Sequence, residues 1–253
     1  MNTSKKLTLS ILIPTYNRKK EFERLFERLY SKFSNNPYFE IVVACSSPEY
    51  MPTVTNKWSM KGVWNVTCLN TKGYTREQNY LKGLSHCRGK YTLIVEDDDI
   101  VDTETIYTFV YEHLANNPDA DLFVYSLINP NQSCIMPTTK SVSSEEFITT
   151  FYERYKNDFQ WGQCITNTLL LKRAMYNLWV RDKELDLIQS DELITLMIAQ
   201  EAKKVCISDY KLLWVGIGLD NYSWNNPKEQ EQRNRFRQLL KKYINIMTLP
   251  ENP

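Results

Sequence analysis

Apolar and polar positions in the first half of the chain alternate between two rhythms. "LTLSILI" at 7–13 is a short apolar run ended by Pro14, which reads as a buried strand leading into the turn "TYNR". Beyond that turn Phe22, Leu25, Phe26, Leu29, Tyr30 and Phe33 recur at i, i+3, i+4, i+7, i+8 and i+11, one face of a helix. "EIVVAC" at 40–45 and "WNVTCL" at 64–69 give two more strands. Residues 74–87 give a second helix ending near Gly89, and "KYTLIV" a further strand. A third helix spans about 103–116 with Ile106, Phe109, Val110, His113 and Leu114 inward, and "DLFVYS" at 121–126 follows as a strand.

Strands alternating with helices predict an α/β fold on a doubly wound, mostly parallel sheet flanked by helices, because parallel neighbours need a crossover and the crossover is usually helical. The second half is less regular. "ITNTLLL" at 165–171 and the pair "KVCIS" and "KLLWVG" near 204–216 read as strands, with helices at about 144–156 and 190–203 between them. A charged segment at 228–247 carries Phe236, Leu239, Leu240, Tyr243, Ile244 and Met247 on one side. No internal repeat or low-complexity linker interrupts the chain, so it reads as one domain.

The 253 residues are 42% hydrophobic and 13% aromatic, enough for a substantial core and against a disordered chain. With 31 Lys+Arg against 30 Asp+Glu there is no global field to recruit nucleic acid, so any electrostatic function is local. Six cysteines, at 45, 68, 87, 134, 164 and 206, form no C-x-x-C pair and read as reduced core residues. Met1–Lys6 is polar and leads directly into a strand, unlike a secretory signal, and no apolar run reaches the roughly 18 residues of a membrane span. The expectation is a cytoplasmic protein, in which Asn65-Val66-Thr67 has no glycosylation meaning.

"YTLIVEDDDI" at 91–100 is the chemically distinctive stretch, an apolar run ending in Glu96, Asp97, Asp98 and Asp99. Four adjacent carboxylates repel one another and resist leaving water, so solvent, helix N-termini or a cation must hold them. A solvated turn before a helix, with Asp99 or Asp102 as N-cap, accounts for one or two of them. A hard divalent cation accounts for more, since Mg²⁺ or Mn²⁺ takes one or two carboxylates and leaves positions open for water and substrate phosphates. In doubly wound sheets ligands bind beyond the carboxyl ends of the strands, where this run lies.

"LSILIPTYNR" at 9–18 and "KGYTREQNYLKGLSHCRGKYTLIVEDDDI" at 72–100, in that order and spacing, resemble the family 2 glycosyltransferases of GT-A fold. The resemblance covers about the first 126 residues well and the rest loosely. It implies an inverting, metal-dependent enzyme of hexosyltransferase type, using Mn²⁺ or Mg²⁺. Such an enzyme moves a sugar from a nucleotide sugar, UDP-linked as the first expectation, to a hydroxyl of a glycan or lipid-linked glycan acceptor in bacterial surface polysaccharide synthesis. Carried over residue by residue, Pro14, Thr15, Tyr16 and Arg18 would border the base and ribose, and Asn79 would match the family's helix asparagine near the nucleotide. Glu96, Asp97 and Asp98 would fill the D-x-D slot, Asp98 as metal ligand and Glu96 toward ribose or donor sugar; a register one residue later would make Asp99 the ligand.

Two departures from the family pattern stand out. The acid that ends the family's second strand and can bond uracil is replaced by Ala44, Cys45 and Ser46, and the arginine before the helix asparagine is Gln78, with Arg76 close enough to offer a phosphate a cation. For proton removal from the acceptor, Ser190 can N-cap a helix whose first turn carries Asp191 and Glu192; Asp191 fits the family's E-D position, although acids in a first helical turn are favoured by the dipole whatever the function. The implied organisation is a nucleotide-sugar half at 1–126, an acceptor and base half at 127–227, and a C-terminal amphipathic basic helix and tail at 228–253.

The remaining features keep two readings each. His113 reads as a rim or core histidine and His86 as a capping or solvent group; Asp220 could supply a further metal ligand. Trp161, Tyr222 and Trp224 could stack on a sugar or simply pack in the core. The 228–247 helix reads as a solvated outer helix, or as a peripheral contact with an anionic membrane surface on the cytoplasmic side. Two rival functions follow: a sugar nucleotidyltransferase, which usually has a glycine-rich phosphate loop where "PTYNRKKE" has no glycine, and a catalytically silent nucleotide- or glycan-binding module.

Overall fold

The first apolar run forms β1 (Leu9–Thr15), buried along its whole length between two parallel neighbours, β2 (Phe39–Cys45) and β4 (Tyr91–Ile94). The computed structural model describes residues 7–47, 65–128, 133–134, 140–156, 164–181 and 191–214, with the single positions 231 and 238. β1 continues through Pro14 to Thr15, whereas the sequence reading ends it at Pro14. The reason is the ladder: Leu12 accepts from Val95 N–H on the β4 side, so Pro14, two residues on, turns its nitrogen to the same side, where the β1–β4 register has already stopped at Leu12–Ile94. A missing donor is harmless at that point.

β3 (Val66–Asn70) adds to the other edge of β2, and the sheet is completed by β5 (Ile100–Val101), β6 (Leu122–Ile128), β9 (Cys164–Asn167) and β10 (Val205–Trp214). The order is β3-β2-β1-β4-β9-β6-β10-β5, with two short strands, β7 (Ser133–Cys134) on β6 and β8 (Lys140–Val142) on β10. β9 runs antiparallel to both β4 and β6, and β5 antiparallel to β10, so the other six strands of that path share one direction. The expected mostly parallel α/β sheet is present.

α1 (Lys19–Phe33) buries the six apolar residues that its periodicity predicts, each contributing about 1.5–3 kcal/mol on burial. α2 (Arg76–His86) starts from a reciprocal cap, in which Gln78 N–H donates to Thr75 Oγ1 and Thr75 N–H to Gln78 Oε1. It lies so close to the sheet that a Cβ on Gly83 would meet Leu12 Cδ1 at 2.5 Å and Ala44 Cβ at 3.0 Å. That approach carries Asn79, one turn earlier, under the end of β2.

α3 runs over Thr103–Asn116 with a π-helical turn at Phe109–His113. Ile106, Phe109 and His113 are buried, and His113 Nδ1 lies 3.0 Å from Tyr125 Oη, which makes it a core histidine. His86 ends α2 with Nδ1 3.0 Å from Lys82 O.

α4 (Ser144–Lys156) and α6 (Asp191–Glu201) match expectation, but the run at 165–171 is not one strand. It divides into β9 and α5 (Thr168–Arg181). Asn167 makes the division: its Nδ2 donates to Asp121 Oδ1 at 2.8 Å, and its Oδ1 accepts Leu169 N–H at 3.0 Å, as a helix cap does. Leu171, Ala174, Met175 and Leu178, spaced i, i+3, i+4 and i+7, then face the core. "KVCIS" and the described residues of "KLLWVG", which end at Trp214, likewise fall in the single strand β10, whose register slips between Ser208 and Lys211 where two strands had been expected. Apart from 231 and 238, the 228–247 segment lies outside the described residues. No helix among the described residues is long and apolar enough to cross a membrane.

Candidate active site

β1 and β4 are hydrogen-bonded neighbours, so the turn after one meets the acidic run after the other. Thr15 Oγ1 donates to Asp97 Oδ2 at 2.8 Å, Tyr16 N–H reaches the same oxygen at 3.3 Å, and Arg18 Nη1 donates to Asp97 Oδ1 at 3.2 Å. Both oxygens of Asp97 are therefore engaged in holding the turn. Burial raises the Asp97 pKa, against the opposing pull of the Thr15 bond and the Arg18 charge. Arg18 Nη1 also lies 2.6 Å from Asp98 Oδ2.

The other side of the turn is tied to the exit of β2. Asn17 adopts φ 55°, a left-handed conformation that asparagine tolerates better than most residues. Its N–H donates to Ser47 Oγ at 2.9 Å, and that hydroxyl donates to Asn17 Oδ1 at 2.9 Å.

The four acids divide their tasks. Asp99 Oδ2 accepts Glu96 N–H at 3.0 Å, and Asp99 N–H donates to Glu96 O at 3.1 Å, so Asp99 closes the turn. Asp102, not Asp99, caps α3, accepting Glu104 N–H at 3.0 Å. Glu96 is partly buried and accepts from Tyr80 Oη; burial pushes its pKa up to about 7, with Arg76 opposing and Asp97 and Asp98 adding. Arg76 stands exposed in the first turn of α2.

Beside these groups lies an open cavity of about 360 Å³ lined by Tyr16, Asn17, Ser46, Ser47, Lys72, Gly73 and Tyr74. Tyr16 is 64% exposed and Tyr74 46%, ample for two flat walls. Gly73 turns at φ 82°, a left-handed position suited to glycine. Asn79, 3% exposed, sits beneath: its Oδ1 accepts Thr71 Oγ1 at 2.5 Å and its Nδ2 donates to Ala44 O at 3.1 Å. It thus joins the 71–74 loop to the end of β2. Pro14 is buried within β1 opposite Ala44, and Gln78 is occupied by the α2 cap. Sequence reasoning assigned no role to Ser47, Asn17, Lys72 or Tyr74, although Asn17 lies in the 9–18 motif and Lys72 and Tyr74 open the 72–100 stretch; their place in those stretches was the only signal for these last three.

Residues 10–179, well over half of the chain, match the family described as Glycosyl transferase family 2. The chain belongs to that family. Among solved structures it is similar to S. aureus TarS 1-349, at 22% identity and TM-score 0.61 over 82% of this chain and 60% of that one. The same TarS fragment in complex with UDP-GlcNAc gives 19% identity and TM-score 0.63, over 90% of this chain and 65% of that one. The mannosyltransferase PcManGT from Pyrobaculum calidifontis in complex with GDP-Man and Mn²⁺ gives 14% and 0.57, over 98% and 66%. These likenesses establish a GT-A-type fold. The family 2 chain spans less than two thirds of each of these three. No match is found among curated proteins.

The family resemblance implies a divalent cation at the end of β4. No group of three His, Cys, Asp or Glu side chains among the described residues forms a closed cage. A cation shared with substrate phosphates needs only one or two carboxylates, and Asp98, 8% exposed and paired with Arg18 next to the cavity-lining Asn17, is of that kind. The residues fit. Asp191 opens α6, and only its backbone, like that of Glu192, is described. The following residues Leu193–Ala199 are all buried, so the helix start is anchored in the core. Ser190, Trp161, Asp220, Tyr222 and Trp224 lie outside the described residues.

Proposed function

We propose that this chain is a metal-dependent, inverting glycosyltransferase of hexosyltransferase type. The donor is a nucleotide sugar, UDP-linked as first choice, and the acceptor is a hydroxyl of a glycan or lipid-linked glycan in bacterial surface polysaccharide synthesis. One observation carries the reading: the β1 turn, with Thr15, Tyr16 and Arg18, is bonded directly to the Asp97–Asp98 run beside an open, tyrosine-walled cavity. Support comes also from TarS, solved with UDP-GlcNAc, on a similar fold.

In this reading Tyr16 and Tyr74 flank the base, which Ser46, Ser47 and Lys72 meet with hydroxyls and a cation rather than a carboxylate. Pro14, paired with Ala44, and Asn79, bonded to Thr71 and Ala44, hold the strand end and loop that carry the cavity residues; Glu96 faces the ribose or donor sugar, and Arg18 and Arg76 offer positive charge to the phosphates. A bound Mn²⁺ or Mg²⁺, held by Asp98, supplies charge to stabilise the departing diphosphate. The acceptor hydroxyl attacks the anomeric carbon as the bond to the diphosphate breaks, and Asp191 takes the hydroxyl proton. Residues 1–126 form the donor half and 127–227 the acceptor half, with 228–253 available for peripheral contact with the cytoplasmic face of a membrane.

Transfer or hydrolysis from a panel of UDP-, GDP- and CMP-sugars, with and without Mn²⁺, tests the reading. Asp191→Asn should lower transfer about a thousandfold while leaving nucleotide affinity intact. Failure of every nucleotide sugar to bind would remove the reading altogether.

A further inference from the structure

The carboxylates at the end of β4 already carry a cation of their own. Arg18 Nη1 bridges Asp98 Oδ2 at 2.6 Å and Asp97 Oδ1 at 3.2 Å, yet 37% of the Arg18 side chain remains exposed. The two carboxylates differ in what else they do. Asp97 is also held by Thr15 Oγ1 and Tyr16 N–H, so it keeps partners if the guanidinium leaves. Asp98 has Arg18 as its one ion-pair partner among the described residues. The backbone of Arg18 is fixed at the start of α1, where its carbonyl accepts Phe22 N–H at 2.9 Å, so only the long side chain need move.

A metal ion bound by Asp98 and a guanidinium bound by the same carboxylate compete for one site, and two positive groups a few ångströms apart repel. A nucleotide diphosphate changes that balance, because it offers the guanidinium a second anion with matching fork geometry. We propose that Arg18 is an internal stand-in for the metal: it holds Asp98 while no nucleotide is bound and transfers to the diphosphate when one arrives. The proposal rests on the nucleotide-sugar reading of the site. Metal and nucleotide then bind as a coupled pair, each raising the other's affinity by the same factor.

Mn²⁺ binding, read from the electron paramagnetic resonance signal of free Mn²⁺, tests this on the full chain without reference to activity. The wild type should bind Mn²⁺ about tenfold or more tightly with saturating UDP than alone. Arg18→Gln should bind Mn²⁺ alone about tenfold more tightly than the wild type, with a correspondingly smaller gain from UDP. Arg18→Lys, which keeps the charge but loses the fork, should bind Mn²⁺ alone about threefold more tightly and decides the matter if Arg18→Gln does not fold. Unchanged or weaker Mn²⁺ binding by the folded variant overturns the proposal and leaves the nucleotide-sugar reading standing. A wild type that binds no Mn²⁺ even with UDP overturns both.

Discussion

Two arginine–carboxylate pairs stand at opposite ends of the same parallel strands. At the amino end Glu40, 1% exposed in β2, accepts from Ser10 Oγ at 2.6 Å, from Arg88 N–H and Nε at 2.6 and 2.8 Å and from Gly89 N–H at 3.3 Å, and pairs with Arg88 Nη2 at 2.8 Å. At the carboxyl end Asp98 meets Arg18 beside an open cavity. A buried carboxylate paired with a partly exposed arginine is therefore no mark of function by itself. What separates the two is the rest of the carboxylate's surroundings: Glu40 is closed in by Ser10, Arg88 and Gly89, whereas Asp98 pairs with Arg18, the residue that follows the cavity-lining Asn17.

The contrast breaks most visibly under mutation of the closed pair. Glu40→Ala leaves the donors of Ser10 and Arg88 without their acceptor, while Gly89 N–H keeps Ser10 Oγ at 2.8 Å, and should cost about 3 kcal/mol of stability in denaturant melts, with UDP affinity per folded molecule unchanged. A large affinity loss in the folded fraction would mean the two ends are not independent.

A pH series sharpens the same comparison. The pKa of Glu96 in the folded chain, about 7, lies above its ordinary 4.5, so the folded state holds that proton more tightly than the unfolded one. The associated stability is present below about pH 4.5 and is lost as pH rises through about 7. Melts in chelator should show the wild type weakening between about pH 5 and pH 8 by up to roughly 3 kcal/mol, and Glu96→Gln weakening much less. Equal slopes would place the pH dependence elsewhere.

Thr15→Val removes the 2.8 Å bond to Asp97 at nearly constant volume and should cost about 1–2 kcal/mol, accompanied by weaker UDP binding because the turn that presents Tyr16 loosens. The smallest effect is expected far from the site: Asn167→Ala removes the cap between β9 and α5 and should cost about 1 kcal/mol with no change in UDP affinity.

These residues also mark what the sequence discloses. The stripe Phe22 to Phe33 was legible because helical period and burial coincide there, and the acidic run because it ends an apolar strand in an α/β order. α5 was not, since "TNTLLL" is apolar enough for strand or helix and only the cap on Asn167 decides. Asp99 and Asp98 are chemically identical neighbours, and only the bond from Glu96 N–H to Asp99 separates turn-former from candidate ligand. Lys72 and Tyr74 lie in a loop without periodicity, and Asn79 turned out to bond the cavity's underside, a relation set by the close approach of α2 at Gly83.

Calorimetric titration of UDP into wild type and Asp98→Asn, each with Mn²⁺ and with chelator, tests the central claim most directly. The account predicts that the wild type binds UDP at least about tenfold more tightly with Mn²⁺, and that Asp98→Asn loses that gain while melting within about 1 kcal/mol of wild type. Mn²⁺-dependent UDP binding that survives Asp98→Asn, or wild-type binding equally tight in chelator, would contradict it.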